Sequence, residues 1–339
     1  MRKNIFKIGI FALAFLLAGA QLALPVQGYT VRHAKQNLAQ QRAPRTANIF
    51  LKTPITLSEA RTLAKWDIIV LGVQAQNVSP EAILLIRQLN PKAVILAYTL
   101  TMTAPFGFYK DLETKGAGIW HDLILQVGSE NLLYNSAGEL IEIWPGMPLF
   151  NWQSRLKGRP LPVTLARFWK EYALETGFWD GLYFDNTEGI ISHVAKAADL
   201  NNDGLVESPS EIDSSWRQAL SDLFTTLNYL VGDDFLLFGN GRGVKEYASL
   251  LDGAMLESFP NVYEGSAADS LNLANQIKFQ LQAPGFIIVH SDTHNTGEID
   301  KEFVGATFDM AQQIGAWYAF DYGSLDHSQL WWFDLYRAD

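Results

Sequence analysis

The strongest constraint on this chain is a rhythm. Short, almost wholly apolar runs alternate with longer stretches of helical periodicity. The runs occupy residues 48–51, 67–71, 93–98, 181–185, 235–239, 253–257, 286–290 and 316–320, each bounded by Gly, Pro, Asn or Asp. A strand with one wet face alternates apolar and polar residues. A run that is apolar throughout must be buried on both faces, as in a parallel sheet covered by helices. Helical patterns fall at 58–65, 79–89, 165–175, 214–230, 244–251, 267–282 and 301–314. The second opens Ser79-Pro80-Glu81, an N-cap with proline at the first helical position. Eight such runs with helices between them predict an α/β fold, a (β/α)8 barrel. A doubly wound open sheet competes, but no Gly-x-Gly-x-x-Gly follows the first run. The gap between the third and fourth runs is far longer than one helix needs, so a long insert follows strand three. It carries Trp120, Trp144-Pro145-Gly146 and Trp152.

Apolar residues are 48% of the 339 and charged residues 18%, which excludes a disordered chain. The absence of cysteine excludes disulfides, thiolate metal sites and cysteine nucleophiles. A net charge of −10 argues against nucleic acid or an anionic membrane surface as the main partner. Arg2, Lys3 and Lys7 precede an apolar run over 8–20 that ends in Ala18-Gly19-Ala20, a small-x-small cleavage pattern. Residues 1–20 therefore read as a signal peptide, 21–46 as a linker, and 47–339 as one barrel domain. The expected location is secreted or periplasmic, or the cell surface if the segment stays uncleaved. No membrane contact is expected beyond that segment.

In such a barrel, polar residues where strands end build the functional face. Strand four ends in Phe184-Asp185-Asn186, with Glu188 three residues on, and strand six ends in Leu256-Glu257. A carboxylate that ends an apolar run is costly to bury unless it is used or paired. Two carboxylates facing one cleft suit glycoside hydrolysis: one donates a proton, the other stays ionised to attack or to activate water. Asp185 and Glu257 are the expected catalytic pair. Tyr98, Trp144, Glu188, Asn240, His290, Asp292 and Asp321 are the expected substrate-binding residues, and the substrate is a polysaccharide or oligosaccharide. Capping or loop ordering is the competing role for these acids, and it applies more to Glu188 than to Asp185.

Residues 199–207 match the first nine positions of an EF-hand-type loop. Asp199, Asn201 and Asp203 supply oxygens at positions 1, 3 and 5. Gly204 permits the turn, Leu205 offers its carbonyl, and Glu207 adds an oxygen at position 9. Calcium in a structural role is the expected cofactor, although Ser210 stands where the bidentate Glu belongs; a metal-free Asx-rich turn is the other reading. His290-Ser291-Asp292-Thr293-His294 supports a second chemistry, a metal-dependent polysaccharide deacetylase in which Asp185 would be the third zinc ligand. A barrel that binds glycans without cleaving them is the non-enzyme alternative.

Tyr98, Trp144-Pro145-Gly146, Phe184-Asp185-Asn186 and Glu257, in that order along a signal-led barrel, resemble the hypothetical glycosyl hydrolase 15 family. That family is similar in turn to the endo-α-1,4-polygalactosaminidase group of glycoside hydrolases. The resemblance implies a (β/α)8 fold and a polysaccharide substrate, with Asp185 and Glu257 as catalytic acids.

Overall fold

The computed structural model describes residues 32–106, 118–260, 266–293, 296–323 and 327–337. The expected signal peptide lies outside them. All eight apolar runs are strands: β1 (Ala47–Phe50), β2 (Ile68–Gly72), β3 (Val94–Leu100), β4 (Gly181–Asp185), β5 (Leu236–Asn240), β6 (Gly253–Leu256), β7 (Phe286–Asp292) and β8 (Trp317–Asp321). They pair in parallel and in sequence order. The last strand returns to the first through a parallel bridge between Tyr318 and Thr46, where the Tyr318 N–H donates to the Arg45 carbonyl at 3.1 Å. The sheet is thus curled nearly into a closed barrel.

The helices are α1 (Arg32–Gln40), α2 (Leu57–Leu63), α3 (Ala75–Val78), α4 (Pro80–Leu89), α5 (Gly118–Val127), α6 (Leu161–Tyr172), α7 (Pro209–Val231), α8 (Ala267–Gln280) and α9 (Lys301–Gln313). Several begin where side chains satisfy the first free amides. Thr56 with Glu59, Ser208 with Glu211 and Ser266 with Asp269 form reciprocal capping boxes. The Ser208 box, with Pro209 inside it, starts α7 five residues before the apolar periodicity does.

Both faces of the strands are buried, which is why the runs are apolar throughout. One set of alternating residues fills the barrel interior, including Ile49, Val70, Leu96, Tyr183, Phe238, Met255, Ile288 and Ala319. The other set, including Ile69, Ile95, Leu182, Leu237, Leu256 and Val289, packs under the helices. Position 253 lies in the interior phase and is glycine because the Phe238 ring takes the space: a Cβ there would sit 2.3 Å from that ring.

Three sequence expectations are corrected. Part of the stretch read as a linker is α1, whose Ala34 and Leu38 are buried in the interior cluster. Lys35 ties the helix to Asp252 at 2.7 Å. The four-residue spacing of Ala34 and Leu38 is one helical turn, too short a pattern to stand out in a polar segment. The helix expected over 244–251 is two short 3₁₀ turns, Arg242–Glu246 and Ala248–Leu250. Gly243 is pressed against the loop after β4, where a Cβ would lie 2.4 Å from the Thr187 carbonyl oxygen. The helix expected over 165–175 begins earlier, at Leu161, straight after a hairpin that pairs Arg155–Leu156 with Arg159–Pro160.

The insert after β3 is anchored to the barrel's carboxyl-end face. The Phe150 N–H donates to the Met102 carbonyl at 2.8 Å, and Thr103 bridges Leu149. Trp120 and Trp152 are buried, making edge contacts with Trp169 and Trp216. Trp144, on the hairpin of Glu142–Trp144 with Met147–Pro148, stands 57% exposed.

Candidate active site

Strand alternation decides which side chains reach the barrel mouth. Leu96 and Tyr183 point inward, so Tyr98 and Asp185, two residues on, point inward as well. The same phase carries Phe238 to Asn240, Met255 to Glu257, Ile288 to His290 and then Asp292, and Ala319 to Asp321. Every expected strand-end residue falls in the interior phase, although the sequence reading used strand ends alone. Register sets their neighbours. Tyr98 pairs with Tyr183, Phe184 with Gly239, Leu256 with Val289, and Asp292 with Asp321.

Asp185 is the best-held of these groups. The Tyr98 hydroxyl donates to its Oδ2 at 2.6 Å. Asn240 Nδ2 donates to Oδ1 at 2.9 Å, and the Asn186 N–H donates to the same oxygen at 2.7 Å. Asn186 makes its bond from a left-handed conformation (φ 60°), and Thr101 holds its carbonyl at 2.8 Å. Both carboxylate oxygens therefore act as acceptors. The Tyr98 ring is fixed by stacking on Tyr183, with centroids 5.8 Å apart. Burial, then the charge of Asp185 and the hydrogen bond to it, then Glu257, raise the Tyr98 hydroxyl well above its ordinary pKa, so it remains a donor.

Glu257 sits half-buried just past β6. Burial first, and then the negative charge of Asp185, raise its pKa, so the proton is retained longer than on a free carboxyl group. The charges of His290 and His327 and hydrogen bonding from Asn240 pull the other way. Glu188 reaches solvent but is crowded by protein on its other sides. Desolvation raises its pKa, and Asp185 and Glu257 add to the effect. Its carbonyl accepts from Trp216 Nε1 at 2.7 Å, which ties this loop to α7.

Beyond Glu257 lies a buried ionic cluster. His290 Nε2 is 3.0 Å from Asp321 Oδ1, and His327 Nδ1 is 2.5 Å from Asp321 Oδ2. Asp321 also accepts from the Gly323 N–H at 2.6 Å, and Asp292 accepts from the Ser258 hydroxyl at 2.9 Å. Burial disfavours the His290 imidazolium, but Asp321, Glu257 and Asp292 outweigh it and push its pKa up to about 9. The two histidines and desolvation act oppositely on Asp321, and the histidines win, holding it far below the usual carboxylate range.

The structure thus brings together Tyr98, Asp185, Asn240 and Glu257, with His290, Asp292 and Asp321 beside them and Glu188 at the rim. Trp144 stands apart on its exposed hairpin. His294 lies outside the described residues. Among those residues His290 groups with Asp321 and His327, not with Asp185 as the deacetylase reading requires. Sequence reasoning missed His327, and it named Asn186 only within the Phe184-Asp185-Asn186 motif, without a role. His327 follows β8 in a loop without periodicity, and only folding carries it back to Asp321. Asn186 acts through its backbone amide, which no residue pattern reveals.

In the loop after β4, Asp199 accepts from the amides of Asp203 (3.0 Å) and Gly204 (2.8 Å). Asn201 accepts from the Asp203 amide and Asp203 from the Leu205 amide, while Glu207 accepts from the Leu200 amide at 2.9 Å. The turn runs through Asn202 (φ 59°) and Gly204 (φ 82°). These bonds fold the loop around its own oxygens, and each carboxylate keeps further lone pairs for a hard cation.

A parallel eight-stranded α/β barrel whose carboxyl-end mouth gathers acids is the class of protein this fold and site define. Residues 87–338 match the hypothetical glycosyl hydrolase family 15, and the chain belongs to that family. No curated protein matches the sequence. Solved structures with similar folds include a D-psicose 3-epimerase in the presence of D-fructose (10% identity, TM-score 0.44, covering 84% of this chain and 89% of that one). A putative lyase/mutase from Burkholderia cenocepacia J2315 is similar at 11% identity and a TM-score of 0.41, covering 88% of this chain and 84% of that one. A D-psicose 3-epimerase with D-tagatose from Clostridium cellulolyticum H10 is similar at 10% identity and a TM-score of 0.39, covering 84% of this chain and 89% of that one. Among the described residues no helix is long and apolar enough to cross a membrane.

Proposed function

We propose that this chain is an exported glycoside hydrolase that cleaves O-glycosidic bonds in a polysaccharide, with Glu257 as the proton donor and Asp185 as the ionised partner. The observation that carries the reading is the asymmetry of the pair. Asp185 has three hydrogen-bond donors on its two oxygens, and its charge raises the proton affinity of Glu257. A carboxyl group that holds its proton, beside a carboxylate already committed to accepting hydrogen bonds, is what acid-assisted departure of a sugar oxygen requires. Tyr98 and Asn240 keep the Asp185 carboxylate aimed. Trp144 offers an exposed aromatic face for a sugar further along the chain.

The test is a leaving-group comparison. On a panel of glycans and activated aryl glycosides, Glu257→Gln should lose polysaccharide cleavage by about 10²–10⁴-fold. It should keep most activity on aryl glycosides whose leaving group needs no proton. Equal loss on both substrates would remove Glu257 from the acid role. Absence of product from every glycan, with binding retained, would favour the glycan-binding barrel.

The loop over 199–207 belongs to the same proposal as a calcium brace for the segment after β4. Chelator should lower the melting temperature, and calcium but not magnesium should restore it. An unchanged melting curve would leave the loop as a metal-free Asx turn.

A further inference from the structure

The geometry points to a divalent transition-metal site of the zinc type, formed by His290, Asp321 and His327 and distinct from both the calcium loop and the Asp185–Glu257 pair. Among the described residues these are the one group of three metal-type side chains whose ligand atoms lie within 4.8 Å of one another. Two imidazole nitrogens and a carboxylate suit a borderline metal, and three protein ligands leave positions open for water or a substrate oxygen.

His290 supplies the second, independent observation. It is 2% exposed, and neither ring nitrogen makes a hydrogen bond. Its Nε2 lies only 3.0 Å from Asp321 Oδ1 yet off the axis a donated proton would need. A buried imidazole normally spends both nitrogens. His327 Nδ1 is hydrogen-bonded to the other oxygen of the same carboxylate at 2.5 Å, a contact that a bound metal would replace, and the two rings meet edge-on with centroids 5.5 Å apart. The supports around the ligands also fit. The Gly323 amide fixes Asp321, and Ser258 holds Asp292 in register beside it. Acids outnumber imidazoles at this mouth, with Asp185, Glu257, Asp292 and Asp321 against His290 and His327, so an added cation is electrostatically welcome.

The experiment is calorimetric titration of the untagged, chelator-treated full chain with zinc, with cobalt absorption as a spectroscopic readout of imidazole coordination. Neither measurement uses a glycan, so the result is independent of whether the protein is a glycosidase. Wild type should bind one equivalent at micromolar affinity or better. His327→Ala and Asp321→Asn should each weaken binding by 100-fold or more, while a control at the exposed His193, His193→Ala, should bind as wild type does. His327 lies on a loop beyond β8, and the near-ultraviolet dichroism of His327→Ala verifies that this variant keeps its fold even if Asp321→Asn does not. Absence of zinc binding below millimolar concentration overturns the site, leaving an Asp321-centred ion pair. Binding that survives His327→Ala in a folded protein overturns it equally.

Discussion

Replacing Asp185 by asparagine exchanges one oxygen for an NH2 group, and the surroundings dictate where that group must go. Oδ1 faces two donors, Asn240 Nδ2 and the Asn186 amide, so the new nitrogen cannot sit there. It must take the Oδ2 position, facing the Tyr98 hydroxyl, which can rotate and accept instead. All three contacts survive as neutral hydrogen bonds. A bond to a charged group contributes about 1.5–3 kcal/mol and a neutral one about 0.5–1.5, so the three together lose about 3 kcal/mol. Removing a partly buried charge also removes its desolvation cost, which offsets part of this and leaves a net loss of about 1–3 kcal/mol. The variant therefore folds, with a melting temperature lower by several degrees. Turnover falls much further: losing the nucleophile or base costs about 10³-fold or more, equivalent to about 4 kcal/mol of barrier. Reducing-end release from a cleaved polysaccharide measures the second quantity and scanning calorimetry the first. The same substitution removes the charge that helps raise Glu257, so an isotope-edited infrared titration should find the Glu257 pKa moved down. Turnover within tenfold of wild type in a folded Asp185→Asn protein would refute the reasoning. So would an unfolded variant, because Asp185 would then be a structural acid.

The scaffold below the site yields two further tests. Arg87 on α4 donates to Asp180 at 2.7 Å and to the Phe178 carbonyl at 2.9 Å, with both charged side chains largely buried. Arg87→Ala leaves Asp180 uncompensated and should cost about 3–5 kcal/mol in denaturant unfolding, and a loss under 1 kcal/mol would show the pair to be solvated. Leu38→Ala in α1 empties a fully buried position and should cost about 2–5 kcal/mol by the same measurement. A negligible effect would return residues 32–46 to the status of a linker.

Much of the fold was legible because the physical signals were local. A strand buried on both faces must be apolar at every position, and all eight such runs became barrel strands. The acids that interrupt those runs were legible for the same reason: Asp185 and Asp321 end otherwise apolar strands, and Glu257 follows one directly. The failures had one origin. Helix α1 carries a two-residue apolar contact that means something only once the barrel's interior is there to receive it. The stretch over 244–251 has a helical pattern, but the close packing of Gly243 on the loop after β4 breaks it into 3₁₀ turns. Calcium-type spacing in 199–207 was visible because its oxygens are neighbours in the chain. The group of His290, Asp321 and His327 was not, because its members come from two strands' ends and a loop.

The sequence by itself determined the alternation of strands and helices, the parallel direction of the sheet, and which acids lie at strand ends. These follow from periodicity and from the cost of burying charge, and both act within a few residues. Tertiary structure alone decided the pairings that give those acids different characters. It set three donors on Asp185, placed that carboxylate where its charge acts on Glu257, and carried a distant histidine onto Asp321. Such contacts depend on barrel curvature and strand register, which bring together side chains far apart in the chain, and the interactions they create act across only a few ångströms.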